Sequence, residues 1–182
     1  MTEQKYTRQK VLQVREWVPG KLLSIKVSRP DNFKFKGGQY ARLGLSDKIE
    51  TNTEPSIWRA YSMVNGPDQT PLEFYSIVVP EGEFSPRLAA LKPGDTIYID
   101  NTVFGFLTAD RFEPGGTLWM IATGTGLSAY LSMLNDPAGT ADLVHGIRLE
   151  RERLVKDGLI RRPELPRQQG RRTPLRTLVP LG

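Results

Sequence analysis

The chain has no cysteine and one histidine, His145. Without cysteine there are no disulfides, thiolate metal sites or thiol nucleophiles. A single histidine excludes a multi-histidine metal centre. No apolar run reaches the roughly 18 residues of a membrane-spanning helix. The first ten residues, MTEQKYTRQK, lack the apolar stretch of a secretory signal. These absences lead us to expect a cytoplasmic protein with no membrane span and no metal. No Ser/His or Cys/His constellation suggests a nucleophilic enzyme, so no catalytic side chain is assigned.

What is present is ordinary in amount and uneven in distribution. The 182 residues are 38% hydrophobic and 25% charged, with a net charge of +5. Residues 1–148 hold 16 basic and 16 acidic groups, so the whole excess lies in residues 149–182. That tail has no aromatic residue to stack on bases, and the body is neutral, so nucleic-acid binding is not expected.

From Lys21 to Asp100 the pattern is one of short strands. Leu23, Ile25 and Val27 alternate with polar residues, and Ala41, Leu43 and Leu45 repeat the alternation. Arg59–Val64, Leu72–Val79 and Thr96–Asp100 are further candidates. Turn signals separate them: Arg29-Pro30-Asp31, Gly37-Gly38, Asn65-Gly66-Pro67-Asp68 and Lys92-Pro93-Gly94-Asp95. Such spacing predicts an antiparallel barrel or sandwich. One helix interrupts it, with Ser85 as N-cap, Pro86 at the first helical position, and Leu88 and Leu91 on one face.

After Pro114-Gly115-Gly116 the pattern changes. The run 117–122 (TLWMIA) reads as a strand covered on both faces. Gly124-Thr125-Gly126 follows, then a helix whose Leu127, Tyr130, Leu131 and Leu134 share one face. Ala141–Arg148 reads as a second buried strand. This β-loop-α-β order opens a doubly wound domain, and G-x-G-x-x-A between strand and helix suits a pyrophosphate. Arg148 stands where NAD-specific domains carry an acidic residue, and it suits a 2′-phosphate. A structural tight turn and a solvated strand-end charge are the plain alternatives.

Arg59-Ala60-Tyr61-Ser62 resembles the flavin-binding motif of the bacterial ferredoxin/flavodoxin–NADP(+) reductase family. The resemblance extends through Tyr75-Ser76-Ile77-Val78, Glu83-Phe84-Ser85, residues 88–95 and residues 117–134, and covers about Lys21 to Arg148. It implies an all-β antiparallel Greek-key flavin-binding barrel at 1–110, followed by a partial α/β NADP-binding unit at 116–148. The implied cofactors are FAD and NADP, and the implied partners are NADPH and ferredoxin or flavodoxin. Arg59 would pair with the flavin pyrophosphate, Tyr61 would lie on the isoalloxazine ring, and Ser62 would bond near its N5/O4 edge. Tyr75 to Val78 would contact the FAD, and Glu83, Phe84 and Ser85 would offer donors to the pyrophosphate. Thr125 would reach the flavin from the nucleotide side, and Ile147 and Arg148 would face NADP. Ala129 departs from the proline of many relatives.

The larger departure is 149–182, rich in Arg, Pro, Leu and Gly, where the rest of an NADP domain is not recognisable. The expectation is a C-terminally truncated or frameshifted member with a disordered basic tail. Sequencing the locus and finding an intact frame shared with longer relatives would refute it. The implied function is an oxidoreductase passing electrons between NADPH, FAD and ferredoxin or flavodoxin. The alternative is an inactive or weakly FAD-binding remnant without NADPH turnover. Sister flavin reductases of the same fold, including iron–sulfur oxygenase reductases, are the nearest alternative within the enzyme class, and without cysteine this chain holds no iron–sulfur cluster.

Overall fold

Five stretches of alternating or near-alternating apolar residues need a common interior, and a sixth, more polar strand joins them. The structure, a computed structural model, describes residues 5–46, 54–113 and 118–139. The strands are β1 (Tyr6–Val18), β2 (Leu22–Val27), β3 (Tyr40–Leu45), β4 (Ile57–Ser62), β5 (Leu72–Ile77) and β6 (Thr96–Phe104). They form one antiparallel sheet in the order β4-β3-β6-β1-β2-β5. The two outer strands come back together at a bridge between Met63 and Phe74, so the sheet curls into a barrel. This is the antiparallel architecture expected.

The inward residues are those the alternation selects. Leu23, Ile25 and Val27 of β2, Ala41, Leu43 and Leu45 of β3, Leu72 and Phe74 of β5, and Ile97 and Ile99 of β6 form one buried cluster. A short helix, α1 (Ser85–Ala90), closes the barrel with Leu88, which is completely buried. Ser85 is not its N-cap. Phe84 holds that position, and the Ser85 hydroxyl accepts a bond from the Val79 N–H at 2.9 Å instead. That bond closes the 79–85 loop.

Strand β1 escaped the sequence reading for a physical reason. Its first half pairs with β6 (Tyr6 opposite Asp100 to Lys10 opposite Thr96), and its second half pairs with β2. Register shifts at Val11/Gln13 and Glu16/Val18 turn it between them. Only Gln9 and Val11 of its 13 residues are buried, so no alternation survives.

Of the strand expected at 117–122, the described residues 118–122 form none. Residues 118–123 join none of the six strands, and Trp119 and Ile121 are 78% and 81% exposed. A strand covered on both faces takes its structure from a neighbouring ladder, and no described strand lies beside this one. Gly124–Gly126 makes a 3-10 turn that runs into α2 (Leu127–Leu134). The helix exists as expected, but its inward face does not match. Ser128, Ala129, Ser132 and Met133 are buried, while Leu134 is exposed and Leu127, Tyr130 and Leu131 are half-buried. The barrel surface beneath comes close to the helix backbone at Gly37 and Gly66 and takes in small side chains and the unbranched Met133. A Cβ on Gly37 would stand 2.8 Å from the Met133 Cα, and one on Gly66 would stand 1.9 Å from the Asn135 carbonyl oxygen. The bulky stripe therefore lies at the margin of the contact, with Leu134 exposed. The strand expected at 141–148 and the tail at 149–182 lie outside the described residues. Among the described residues no helix is long and apolar enough to cross a membrane.

Candidate flavin site

Where β4 and β5 meet, the barrel is closed by main-chain bonds at one end only. Met63 bridges Phe74, and the Val64 N–H donates to the Glu73 carbonyl at 2.9 Å. Continuing that register by two residues sets Tyr61 opposite Ser76, and there the backbone ladder stops. Two hydroxyls take its place, with Tyr61 Oη 3.1 Å from Ser76 Oγ. The Ser76 hydroxyl also lies 3.3 Å from the Ile77 carbonyl. Beyond this point the seam is flanked by Arg59 and Ala60 on β4 and by Ile77 to Val79 on the other side. Arg59, Ala60, Ile77 and Val79 are all exposed.

The sequence motif residues gather along this seam. Arg59 and Tyr61 alternate on β4 with Ala60 and Ser62; Arg59 faces Leu43 across the ladder to β3, and Ser62 faces Tyr40. The Arg59 guanidinium donates to the Trp58 carbonyl at 2.8 Å and stands 4.0 Å from the Glu83 carboxylate. Both side chains are more than half exposed, so the pair is worth at most about 1 kcal/mol. A doubly charged anion could therefore displace Glu83 with little loss. The Phe84 ring packs on the Tyr61 ring at 5.7 Å. Thus Arg59, Tyr61, Ser76, Glu83 and Phe84, which come from three separate segments, share one neighbourhood.

Burial raises the Tyr61 phenol above its usual value, and the Ser76 hydrogen bond and the Arg59 charge offset part of that rise. Burial also raises Tyr75, with help from Glu73 and against Arg15. Both phenols are therefore protonated at neutral pH and can donate hydrogen bonds. Tyr75 is half-buried on β5, and Val78 donates its N–H to the Lys21 carbonyl at 2.8 Å.

The glycine turn approaches the same place. Gly124 has φ +53°, and a Cβ there would stand 3.2 Å from Ile77 Cδ1. The left-handed backbone and the close approach both favour glycine. Thr125 is half-buried in this turn, at the end of β5. Ile147 and Arg148 lie outside the described residues.

This donor set fits a flavin nucleotide. The fit rests on a seam whose hydrogen bonding passes from backbone to side chains, apolar Ile77 and Val79 exposed at its lip, and a weakly held arginine beside Glu83. The sequence reading missed Asn65, Gly66 and Ser132, which seat α2 against this region. Asn65-Gly66 read only as a turn, and a serine on a helix carries no sequence signal of its own.

No family model matches the chain. Over 125 residues it is 45% identical to a flavodoxin/ferredoxin–NADP reductase of Escherichia coli (strain K12), covering 69% of this chain and 48% of that one. Over 132 residues it is 39% identical to ferredoxin–NADP reductase A of Sorangium cellulosum, covering 72% and 45%. In structure it resembles a ferredoxin NADP+ reductase from Neisseria gonorrhoeae with bound FAD and NADP. That likeness has a TM-score of 0.69 and 32% identity, over 82% of this chain and 64% of that one. The chain spans about half the length of these sequence relatives. From the seam, the glycine turn and this likeness together, the chain belongs to the bacterial ferredoxin/flavodoxin–NADP reductase family.

Proposed function

We propose that the chain binds FAD along the β4–β5 seam and is the flavin-bearing part of a reductase that moves electrons between NADPH and ferredoxin or flavodoxin. The observation that carries this reading is the replacement of backbone pairing by the Tyr61–Ser76 hydroxyl contact, with Arg59 beside the 83–85 loop. A flavin, when bound, supplies the exchange between two-electron and one-electron chemistry. The protein's part is to bind, orient and shield. Arg59 would exchange Glu83 for the pyrophosphate, with N–H groups of Glu83, Phe84 and Ser85 assisting. Tyr61 would present its ring to the isoalloxazine, and the hydroxyl of Ser62 would bond to the ring's polar edge. Tyr75, Ser76, Ile77 and Val78 would line the other side of the seam.

Thr125, in the turn beside Ile77, would meet the ring from the side on which a nicotinamide arrives. Ile147 and Arg148 would hold NADP, with Arg148 toward the 2′-phosphate. In this reading residues 1–110 are the barrel, 116–148 the incomplete nucleotide unit and 149–182 a basic tail, and the protein works in the cytoplasm without nucleic acid. The E. coli and Sorangium relatives are named as reductases of this kind, and the Neisseria structure holds FAD and NADP.

The test is FAD affinity by titration of flavin fluorescence, for the native chain and for Arg59→Ala. A lost charge-assisted bond of about 1.5–3 kcal/mol corresponds to roughly 10- to 150-fold weaker binding. Equal affinity of the two proteins would remove Arg59 from the site. Anaerobic mixing of the FAD-loaded chain with NADPH tests the second half, and bleaching of the flavin bands is the expected result.

A further inference from the structure

Helix α2 follows the glycine turn directly, so whatever seats the helix also sets the turn. Three contacts seat it. The Ser132 hydroxyl, completely buried, donates to the Asn65 carbonyl at 2.8 Å. The Asn135 side chain reaches the Val64 carbonyl at 3.5 Å, and the Gly37 N–H donates to the Asp136 carboxylate at 3.1 Å. Gly66 lies so close beneath that any Cβ would collide with the Asn135 carbonyl at 1.9 Å. That carbonyl is backbone and cannot swing aside.

The floor under the helix is itself fixed. The Asn65 side chain donates to the carbonyls of Gly66 and Gln69 and accepts from the Glu73 N–H at 2.9 Å. The Arg29 guanidinium donates to the carbonyls of Phe33, Pro67 and Gln69. This floor continues β4 by two residues past the Met63–Phe74 bridge. The far end of α2 is therefore held to the strand of the flavin motif, and its near end rests on Ile77 of β5.

We infer that Gly66, Asn65 and Ser132 are positioning residues: they lock α2 onto the barrel and thereby fix the Gly124–Gly126 turn at the flavin end of the seam. The mechanical part stands on the contacts alone, and the functional part rests on the flavin reading above. It follows that α2 and its turn move with the barrel and not with the remainder of a nucleotide-binding domain.

The test uses the full chain, with and without FAD, as native protein, Gly66→Ala and Ser132→Ala. Hydrogen exchange reads the mechanical part. In the native chain the amides of 131–136 should be protected, and in Gly66→Ala they should exchange at least about tenfold faster while β2, β3 and β6 keep their protection. Ser132→Ala, which adds no bulk, should show a smaller loss and guards against misfolding of the glycine variant. Flavin fluorescence and the shape of the visible bands read the functional part. Both should change in the variants although FAD is retained, because the turn no longer rests beside the ring. Unprotected α2 amides in the native chain, or no change in either variant, would overturn the lock. Loosened α2 with an unaltered flavin spectrum would overturn the positioning role. A native chain that binds no FAD would sink the flavin reading and leave the exchange result to judge the lock alone.

Discussion

Two hydroxyls, on Tyr61 and Ser76, hold the seam where main-chain bonding stops, and burial raises the phenol so that it keeps its proton. The sign of the pH effect follows. A phenol whose folded value lies above the ordinary value of about 10 keeps its proton longer in the folded chain than in the unfolded one. Its contribution to stability is intact below the ordinary value and is lost as pH rises through the interval up to the folded one. Urea midpoints followed from roughly pH 9 to 11 should fall less steeply in Tyr61→Phe than in the native chain; parallel slopes would show that Tyr61 is not perturbed. Core residues give a larger effect. Phe74 is 0% exposed, so Phe74→Ala should cost about 3–5 kcal/mol in denaturant unfolding. Leu12 is 49% exposed, and Leu12→Ala should stay within about 0.5 kcal/mol of native.

At the scale of elements, the sequence shows most where one face of a strand is buried along its whole length. Strands β2, β3, β5 and β6 are legible in the alternation of Leu23-Ile25-Val27, Ala41-Leu43-Leu45, Leu72-Phe74 and Ile97-Ile99. Strand β1 is not, because it changes partners midway and buries only Gln9 and Val11. The apolar run 117–122 misleads for the opposite reason: hydrophobicity marks a surface that needs covering, and no described strand covers residues 118–123. Helix α2 is legible as a helix, yet its docked face is not, since the close backbone approach at Gly37 and Gly66 favours Ser128, Ala129, Ser132 and the unbranched Met133 over the leucines. This gives a clear contrast between adjacent residues. Met133 is 0% exposed, and Met133→Ala should destabilise by about 2–5 kcal/mol. Leu134 is 38% exposed, and Leu134→Gln should be nearly neutral. Thermal unfolding of the two variants checks this, and equal losses would restore the face read from the sequence.

The site was legible in a different way. Periodicity places Tyr61 on a strand and says nothing of its partner. The short motif around Arg59 supplied the chemistry, and the fold brings it against Ser76, Glu83 and Phe84 from segments 15 or more residues away. The lock formed by Asn65, Gly66 and Ser132 had no such motif and emerges only from the close approach of two backbones.

For the whole molecule, the balance lies between a well-filled barrel and an outward apolar surface. Trp119 and Ile121 are 78% and 81% exposed, and the Ile121 carbonyl accepts from the Tyr130 hydroxyl of α2 at 3.2 Å. Apolar surface of this kind promotes association. Sedimentation should therefore show concentration-dependent self-association that Trp119→Glu with Ile121→Lys reduces, and a native chain that stays monomeric at high concentration would argue against it.

The central claim is that the β4–β5 seam holds FAD. Its most direct test is the visible absorption spectrum of the purified chain after incubation with FAD and removal of unbound cofactor. The account predicts that flavin bands are retained by the native chain and lost or strongly reduced in Arg59→Ala. A folded, colourless native chain would contradict it.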